Sequence, residues 1–333
     1  MRKPVVRVIG QSGRNLVESW GSDLIAVRFT DNEGGEADEI EIEFSVSPPF
    51  PGPPAAGTRY RLSYGWEGGG LRDAGLFTYQ NARLTPSPGS GWTMTIVARS
   101  ADFVEADKSA DSEHFEETTA GDIFKRLASD VGKAAKVHPS IGDVEIPFRL
   151  RYQQSPLGFA QSLADELGAS LKPANGQWLV TKKNSGETAS GSTMPPIIID
   201  ASEIMDGTEL MAEERPRHGQ IQAGFFDPEQ GVSLLESIPG LGGAARFLAL
   251  HPAASATEAV KRGEAEALDL ARATITGTVV VEGRPEAMAG APVSLTGFGA
   301  WSAFGLVTPT ISHEFTFDES GGWLMTLECA AKT

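Results

Sequence analysis

Ile40-Glu41-Ile42-Glu43-Phe44-Ser45-Val46 alternates apolar and polar residues at every step. Successive side chains of a strand point to opposite faces, so this stretch reads as a strand with one dry face and one wet face. The same period of two extends outward from it. Tyr60, Leu62 and Tyr64 alternate with Arg61 and Ser63, Phe77 and Tyr79 continue the pattern, and Trp92, Met94, Ile96 and Ala98 share one face. Turn-forming clusters separate these runs, among them Asn32-Glu33-Gly34-Gly35, Pro48 to Pro54, Gly68-Gly69-Gly70 and Pro86 to Gly91. Short alternating strands at this spacing predict an antiparallel barrel or sandwich.

The middle of the chain changes character. Thr119, with Asp122 three residues on, predicts a helix start, and Ile123, Phe124, Leu127, Ala128 and Val131 then fall on one face before Gly132. Ser155 is placed as an N-cap with Pro156 in the first turn; Phe159, Leu163 and Leu167 form the stripe, and Gly168 ends it. A hairpin follows around Asn175-Gly176. Residues 184–196, rich in Gly, Ser, Thr and Pro, read as a linker. Beyond it, Ile197 to Ile199, Gly219 to Phe226 and Ala245 to Leu250 look like strands. Ser255 with Glu258 opens a helix to about Ala273, which Gly263 weakens. Strands return at Ile275 to Val281, Val293 to Leu295, Leu306 to Phe317 and Trp323 to Cys329. The order is β-rich, α+β, β-rich. No close repeat is visible, although two β-rich ends of similar style suit a duplication.

Composition narrows the function. With 40% hydrophobic and 22% charged residues the chain reads as globular rather than disordered. The 44 acidic against 28 basic residues give a net charge of −16, and no basic stripe offers itself to nucleic acid or anionic lipid. Cys329 is the only cysteine, which rules out an intrachain disulfide and a cysteine-rich metal site. No apolar stretch marks a signal peptide near Met1, and no run reaches the length of a membrane span. The expectation is a protein of the cytoplasm, or of a particle assembled there.

Local motifs for chemistry are weak. Gly240-Leu241-Gly242-Gly243-Ala244-Ala245 matches the dinucleotide fingerprint as a string, but Ser237-Ile238-Pro239 precedes it and a strand-like run follows, so a loop is expected. Gly65 to Gly70 lacks the Gly-Lys-Ser/Thr ending of a phosphate loop and reads as a hairpin turn. Asp31, Glu33, Glu36 and Asp38 lack EF-hand spacing and read as a solvated, charged loop. His114, His138, His218, His251 and His313 are scattered, and no Gly-x-Ser-x-Gly elbow is present. Glu41 and Glu43 share one strand face, where a polar surface or a subunit contact is the simpler reading than acid–base work. No catalytic, cofactor-binding or metal residue is expected.

Four regions in register resemble the late-control D protein family of contractile-tailed phages, whose members form the tail or baseplate hub. The first is Asp23 to Asn32 with Ala37 to Phe44; the second is Arg59 to Gly65 with Gly75 to Thr78. The third is Gln154 to Ala164 with Gly168 to Lys172, with Gly158 standing where an acidic or larger helix residue is expected. The fourth is Thr276-Gly277-Thr278, Gly290 to Val293, Gly297-Phe298 and Ile311 to His313.

The resemblance implies an α+β, mainly β, fold with two tail-tube-like antiparallel β-barrel domains and α+β insertions. The expected boundaries are 1–110 for the first barrel, 111–183 for an α+β insert and 184–196 for the linker. The second barrel would be assembled from 197–227 and 274–333, with an insertion at 228–273. It also implies a non-enzymatic homotrimer, similar to the hub part of type VI secretion spike proteins, whose six barrels join the sixfold tube to the threefold spike and let DNA pass. Partners would be a separate spike protein, the tail tube or tape-measure protein and other baseplate proteins, with no sequence-specific nucleic-acid binding and no membrane insertion. The location would be the virion tail, assembled in the host bacterial cytoplasm. The seven acidic and no basic residues in 31–43 make Glu41 and Glu43 candidates for the channel lining, where like charge keeps DNA from adhering. A cell-wall hydrolase and a stand-alone β-rich binding module are the competing readings.

Overall fold

In the computed structural model, Ile40, Ile42 and Phe44 are buried while Glu41 and Glu43 stand on the opposite face of their strand. The structure describes residues 2–87, 91–100, 110–214, 217–317 and 321–332. Its first part comprises β1 (Pro4–Ile9), α1 (Leu16–Trp20), β2 (Leu24–Asn32), β3 (Glu39–Val46), β4 (Arg59–Trp66), β5 (Arg72–Ser87) and β6 (Gly91–Arg99). Then come β7 (Asp111–Thr119), α2 (Ala120–Asp130), β8 (Ala134–Val137), α3 (Pro139–Gly142), β9 (Glu145–Gln154), α4 (Pro156–Glu166), β10 (Ala169–Ala174) and β11 (Gln177–Lys182). Next are β12 (Ile197–Asp200), β13 (Glu209–Ala212), β14 (Gln220–Asp227), β15 (Val232–Pro239), β16 (Arg246–Leu248) and α5 (Ala256–Arg272). The chain finishes with β17 (Ile275–Glu282), β18 (Pro292–Thr296), β19 (Leu306–Thr316) and β20 (Trp323–Ala331).

One twelve-stranded sheet spans both β-rich ends. Its order runs β1-β4-β5-β6-β3-β2 and continues β19-β20-β17-β13, with β18 and β12 reached from β19. Each half wraps its own core. Val8, Phe29, Ile40, Leu62 and Phe77 fill the first, and Ile199, Val279, Ile311, Met325 and Leu327 fill the second. Among the described residues no ladder closes either half into a barrel, because β2 leaves its own half to pair with β19.

The two halves repeat one another. The first half in chain order, β1 to β6, has the sheet order β1-β4-β5-β6-β3-β2; β12, β13, β17, β18, β19 and β20 have the order β12-β18-β19-β20-β17-β13. Reading strand for strand, these are the same order, and the directions agree in every ladder but one: β1 runs antiparallel to β4, whereas β12 runs parallel to β18. The ladders β5–β6 and β19–β20 both carry a register shift, between Tyr79 and Asn81 in one and Val307 and Thr310 in the other. A sequence trace accompanies the topology: Gly91-Trp92-Thr93-Met94-Thr95-Ile96 against Gly322-Trp323-Leu324-Met325-Thr326-Leu327. The sequence showed no close repeat, and only the similar style of its two β-rich ends pointed to a duplication.

Helix starts follow their capping residues. The side chains of Thr119, Ser155 and Ser255 accept the backbone N–H of Asp122, Gly158 and Glu258, each such cap contributing about 1 kcal/mol. Helices α2 and α4 cover the β10-β11-β8 sheet around Phe124, Leu127, Leu163 and Trp178. Gly263 has a packing reason in α5, since an added Cβ would fall 2.1 Å from Ile238 Cδ1. Two expectations are corrected. Residues 220–227, grouped from sequence with 274–333, form β14, which pairs with its chain neighbour β15 and with β16 in a separate sheet under α5. The 184–196 segment is no free linker. It folds into a small hairpin, with Thr188 N–H donating to Ser192 O at 2.9 Å and Met194 N–H to Gly186 O at 2.8 Å.

Gly283 lies directly under the indole of Trp323, where an added Cβ would come within 2.0 Å of the ring. Its carbonyl also accepts Trp66 Nε1–H at 3.0 Å. Gly283→Ala is expected to displace the ring and lower stability by about 1–3 kcal/mol. A thermal melt reads this directly, and an unchanged Tm would contradict the packing.

Candidate functional site

The wet face of the large sheet is continuous across the seam between its halves. One row runs Val280, Thr326, Ser312, Thr30, Glu39, Arg99, and the next runs Glu282, Leu324, Glu314, Arg28, Glu41, Val97. Around the seam Glu39, Glu41, Glu43, Glu282, Glu314 and Glu328 stand on this face against Arg28, Arg83 and Arg99, a local negative excess, while farther along the same face carries Arg59 and Arg61, the latter paired with Asp73. Arg28 sits at the seam. Its guanidinium donates to Glu43 and to Glu314, both at 2.8 Å, and lies 3.9 Å from Glu41. Burial lowers the Arg28 pKa, and the bonds to Glu43 and Glu314 more than reverse this. Arg99 similarly pairs with Glu39 at 2.7 Å. Glu41 and Glu43 thus occupy the face expected of them, but as parts of an ion-pair network that includes Arg28 and Glu314. Sequence reading missed both of these, because Glu314 is 286 positions from its partner.

Of the acidic stretch behind this face only Glu36 is exposed as expected. Asp31, Glu33 and Asp38 are buried. Lys172 on β10 reaches into the loop to pair with Asp31, and with Asp38 at 3.0 Å. Arg72 stands 3.7 Å from Asp31 and donates to the carbonyls of Pro285 and Ala287. Asp31 also accepts the Ala289 N–H at 3.0 Å. One charge cluster therefore ties β2, β5, β10 and the 285–289 loop together. Burial pushes the Asp31 carboxyl up, but Lys172 and Arg72 hold it below the usual range. Asp38 is pushed up to about 6 by burial against the pull of Lys172. Burial also raises Glu33, whose carboxylate accepts Asn184 N–H at 3.1 Å. Gly34 is required here, since a Cβ would stand 2.8 Å from Ser170 Cβ and 3.0 Å from Leu171 N.

His313 lies in an aromatic knot where the halves meet. Its ring stacks on Phe29 at 5.7 Å and 4° and contacts Tyr64 at 5.0 Å and Trp323 at 5.6 Å. Trp323 Nε1–H donates to His313 Nδ1 at 3.1 Å. Indole nitrogen is a donor only, so Nδ1 is unprotonated and Nε2–H faces the Tyr64 hydroxyl at 3.4 Å. Burial drives the imidazole down to about 3, with Asp31 opposing and Arg72 assisting.

The remaining candidates resolve into structural roles. Residues 240–245 form the loop between β15 and β16, and 67–70 the turn between β4 and β5. His138 Nδ1 is 2.9 Å from Ser140 Oγ and Nε2 is 3.2 Å from Glu187. The order resembles a hydrolytic triad. However, Nδ1 also accepts the Ser140 N–H as the cap of α3, and Glu187 pins the 184–196 hairpin to it. Among the described residues no group of His, Cys, Asp and Glu is arranged to hold a metal ion.

Comparison with known proteins agrees with the fold. No protein-family model matches the chain. It is 32% identical over 190 residues to a probable baseplate hub protein of Escherichia phage P2, covering 57% of this chain and 48% of that protein. The chain spans about half the length of the curated relatives it matches. The 43 kDa tail protein of prophage MuSo2 from Shewanella oneidensis has the same fold, with a TM-score of 0.71 over 99% of both chains at 13% identity. A component of the E. coli type VI secretion system superposes with a TM-score of 0.50 over 99% of this chain and 77% of that one, at 9% identity.

Proposed function

We propose that this chain, which resembles phage baseplate hub proteins in sequence and phage tail proteins in fold, is a structural subunit of the hub of a contractile tail. One observation carries the reading: a single chain presents the same six-strand order twice, side by side, with one shared polar face. Three such chains supply six units. That number lets a threefold ring meet a sixfold tube on one side and a threefold spike on the other. In this reading each unit is a tube-like barrel domain, completed in the ring by its neighbours.

The shared polar face lines the passage. Glu41 and Glu43 belong to it, with Glu39, Glu314 and Glu328, and its negative excess repels the phosphate backbone of DNA instead of binding it. The α+β segment and the β14–β16 module lie outside the ring and meet other baseplate proteins. The role is non-enzymatic. The location is the tail baseplate of a virion, assembled in the host cytoplasm, with a separate spike protein and the tube or tape-measure protein as partners.

Co-expression with a candidate spike protein from the same source, followed by native mass measurement, tests this. A complex of three chains with three spike chains is the expected species. A chain that stays monomeric with and without the spike would overturn the proposal.

A further inference from the structure

The seam inside the chain shows how one unit accepts the next. In the first ladder β2 lies along the part of β19 beyond the register shift, with Thr30 opposite Ser312, Phe29 opposite His313 and Arg28 opposite Glu314. The part of β19 before the shift is occupied by β18. The repeat makes β5 the counterpart of β19 and β13 the counterpart of β2. Like β19, β5 is occupied before its shift, by β4 from Arg72 to Thr78. Beyond the shift, residues 81–87 pair with β6 on one side, and among the described residues no strand takes the other side. At the far end of the sheet β13 pairs, among the described residues, with β17 alone. Every copy therefore carries an empty acceptor edge at one end and an unused donor strand at the other.

We propose that β13 of one copy adds to residues 81–85 of β5 in the next copy, repeating the internal seam between chains. This rests on the hub reading for the number of copies, and names the surface through which they join. The register follows from the internal one. Gly91 and Gly322 correspond, so Arg99 corresponds to Ala330, and their partners Glu39 and Thr276 correspond in turn. Met211, opposite Thr276, then takes the place of Thr30, opposite Glu39. Thr310 and Asn81 are the first residues past their shifts, so Ser312 corresponds to Arg83. The pairing between copies is Met211 with Arg83, Leu210 with Leu84 and Glu209 with Thr85.

The chemistry of both edges agrees with this register. Leu84 is 43% and Met211 47% exposed, a wasteful placement on a free edge and a reasonable one beneath a neighbour. Arg83 comes diagonal to Glu209 and Glu213, opposite charges within reach across a strand pair. Neither 81–85 nor 209–212 contains a proline, so neither edge is blocked. The contact is head to tail, two different surfaces meeting, which closes into a ring when the step divides a full turn. In the hub reading, three steps within chains and three between them make up the ring.

The test pairs two exposed positions in the full chain. Cys329, the one native cysteine, is buried. The double variant R83C/M211C, treated with a mild oxidant, is expected to give two-chain and three-chain bands on a non-reducing gel, with most of the protein shifted. R83C and M211C singly should give none. A trimer by native mass that fails to cross-link overturns this pairing and leaves the hub reading standing. A chain that is monomeric with and without its spike overturns both, and a ladder running past three copies keeps the strand pairing and overturns the closed ring.

Discussion

Lys172→Met is expected to destabilise the protein by about 3–5 kcal/mol at pH 8, the range seen when one partner of a buried ion pair is removed. Lys172 is the cation that Asp31 and Asp38 share, and both carboxylates are buried. Methionine keeps the bulk of the lysine stem and removes the charge, so the loss is electrostatic rather than a cavity. Arg72 remains 3.7 Å from Asp31, which leaves Asp38 the more exposed to the loss. Asp38 is already pushed up to about 6 by burial, so without Lys172 it takes a proton more readily. The penalty should therefore shrink on lowering the pH from 8 to 5, and the added substitution Asp38→Asn should recover part of it. Urea midpoints at the two pH values measure both effects. A midpoint at pH 8 equal to that of the unmodified protein would show that the cluster holds nothing together.

His313 supplies the second large effect, in acid. Its folded pKa of about 3 lies below the ordinary value of 6.5, so the unfolded chain binds the proton first. The stability this contributes is complete above about pH 6.5 and is lost progressively as the pH falls toward 3, by about 1.4 kcal/mol per unit. The cause is geometric as well as dielectric: a proton on Nδ1 would point at the Trp323 N–H that this nitrogen accepts. Asp38, raised to about 6, acts in the opposite sense, gaining stability as the pH falls from about 6 to 4, and Glu33, also raised by burial, shares its sign. The His313 contribution is isolated by comparing the protein with H313Q, in which the amide oxygen retains an acceptor for the indole. The stability advantage of the unmodified protein over H313Q should fall by about 1.4 kcal/mol per pH unit below 6.5. Parallel pH profiles would remove His313 as the source of acid sensitivity.

What was legible in the sequence had a short-range cause. The alternation at 40–46 reports a half-buried strand because burial and exposure alternate with the backbone itself. The caps at Thr119, Ser155 and Ser255 were legible because each bonds an N–H three residues on. The strands β7 and β9 escaped notice because they form a two-stranded ribbon largely exposed on both faces, so Asp111 to Thr119 carries no apolar alternation. The buried state of Asp31 and Asp38 depends on a lysine 141 positions from Asp31, and nothing local distinguishes such a carboxylate from a solvated one. Glu41 and Glu43 were visible as a polar face, whereas Arg28 and Glu314 entered only when the seam brought β19 beside β2. The duplication left a trace of only a few residues, Gly-Trp-x-Met-Thr, because the rest of each half needs only the period and not the identities.

The seam has a consequence for how the chain comes apart. Seven residue pairs join β2 to β19, and Phe315 and Trp323 from the second half pack within the core of the first. Melting either half alone would strip the other of part of its core and bare a strand edge. The two halves are therefore coupled into one cooperative unfolding unit although most of each core is its own. Slow amide exchange should run unbroken across the seam, with no boundary in protection where the repeat begins again.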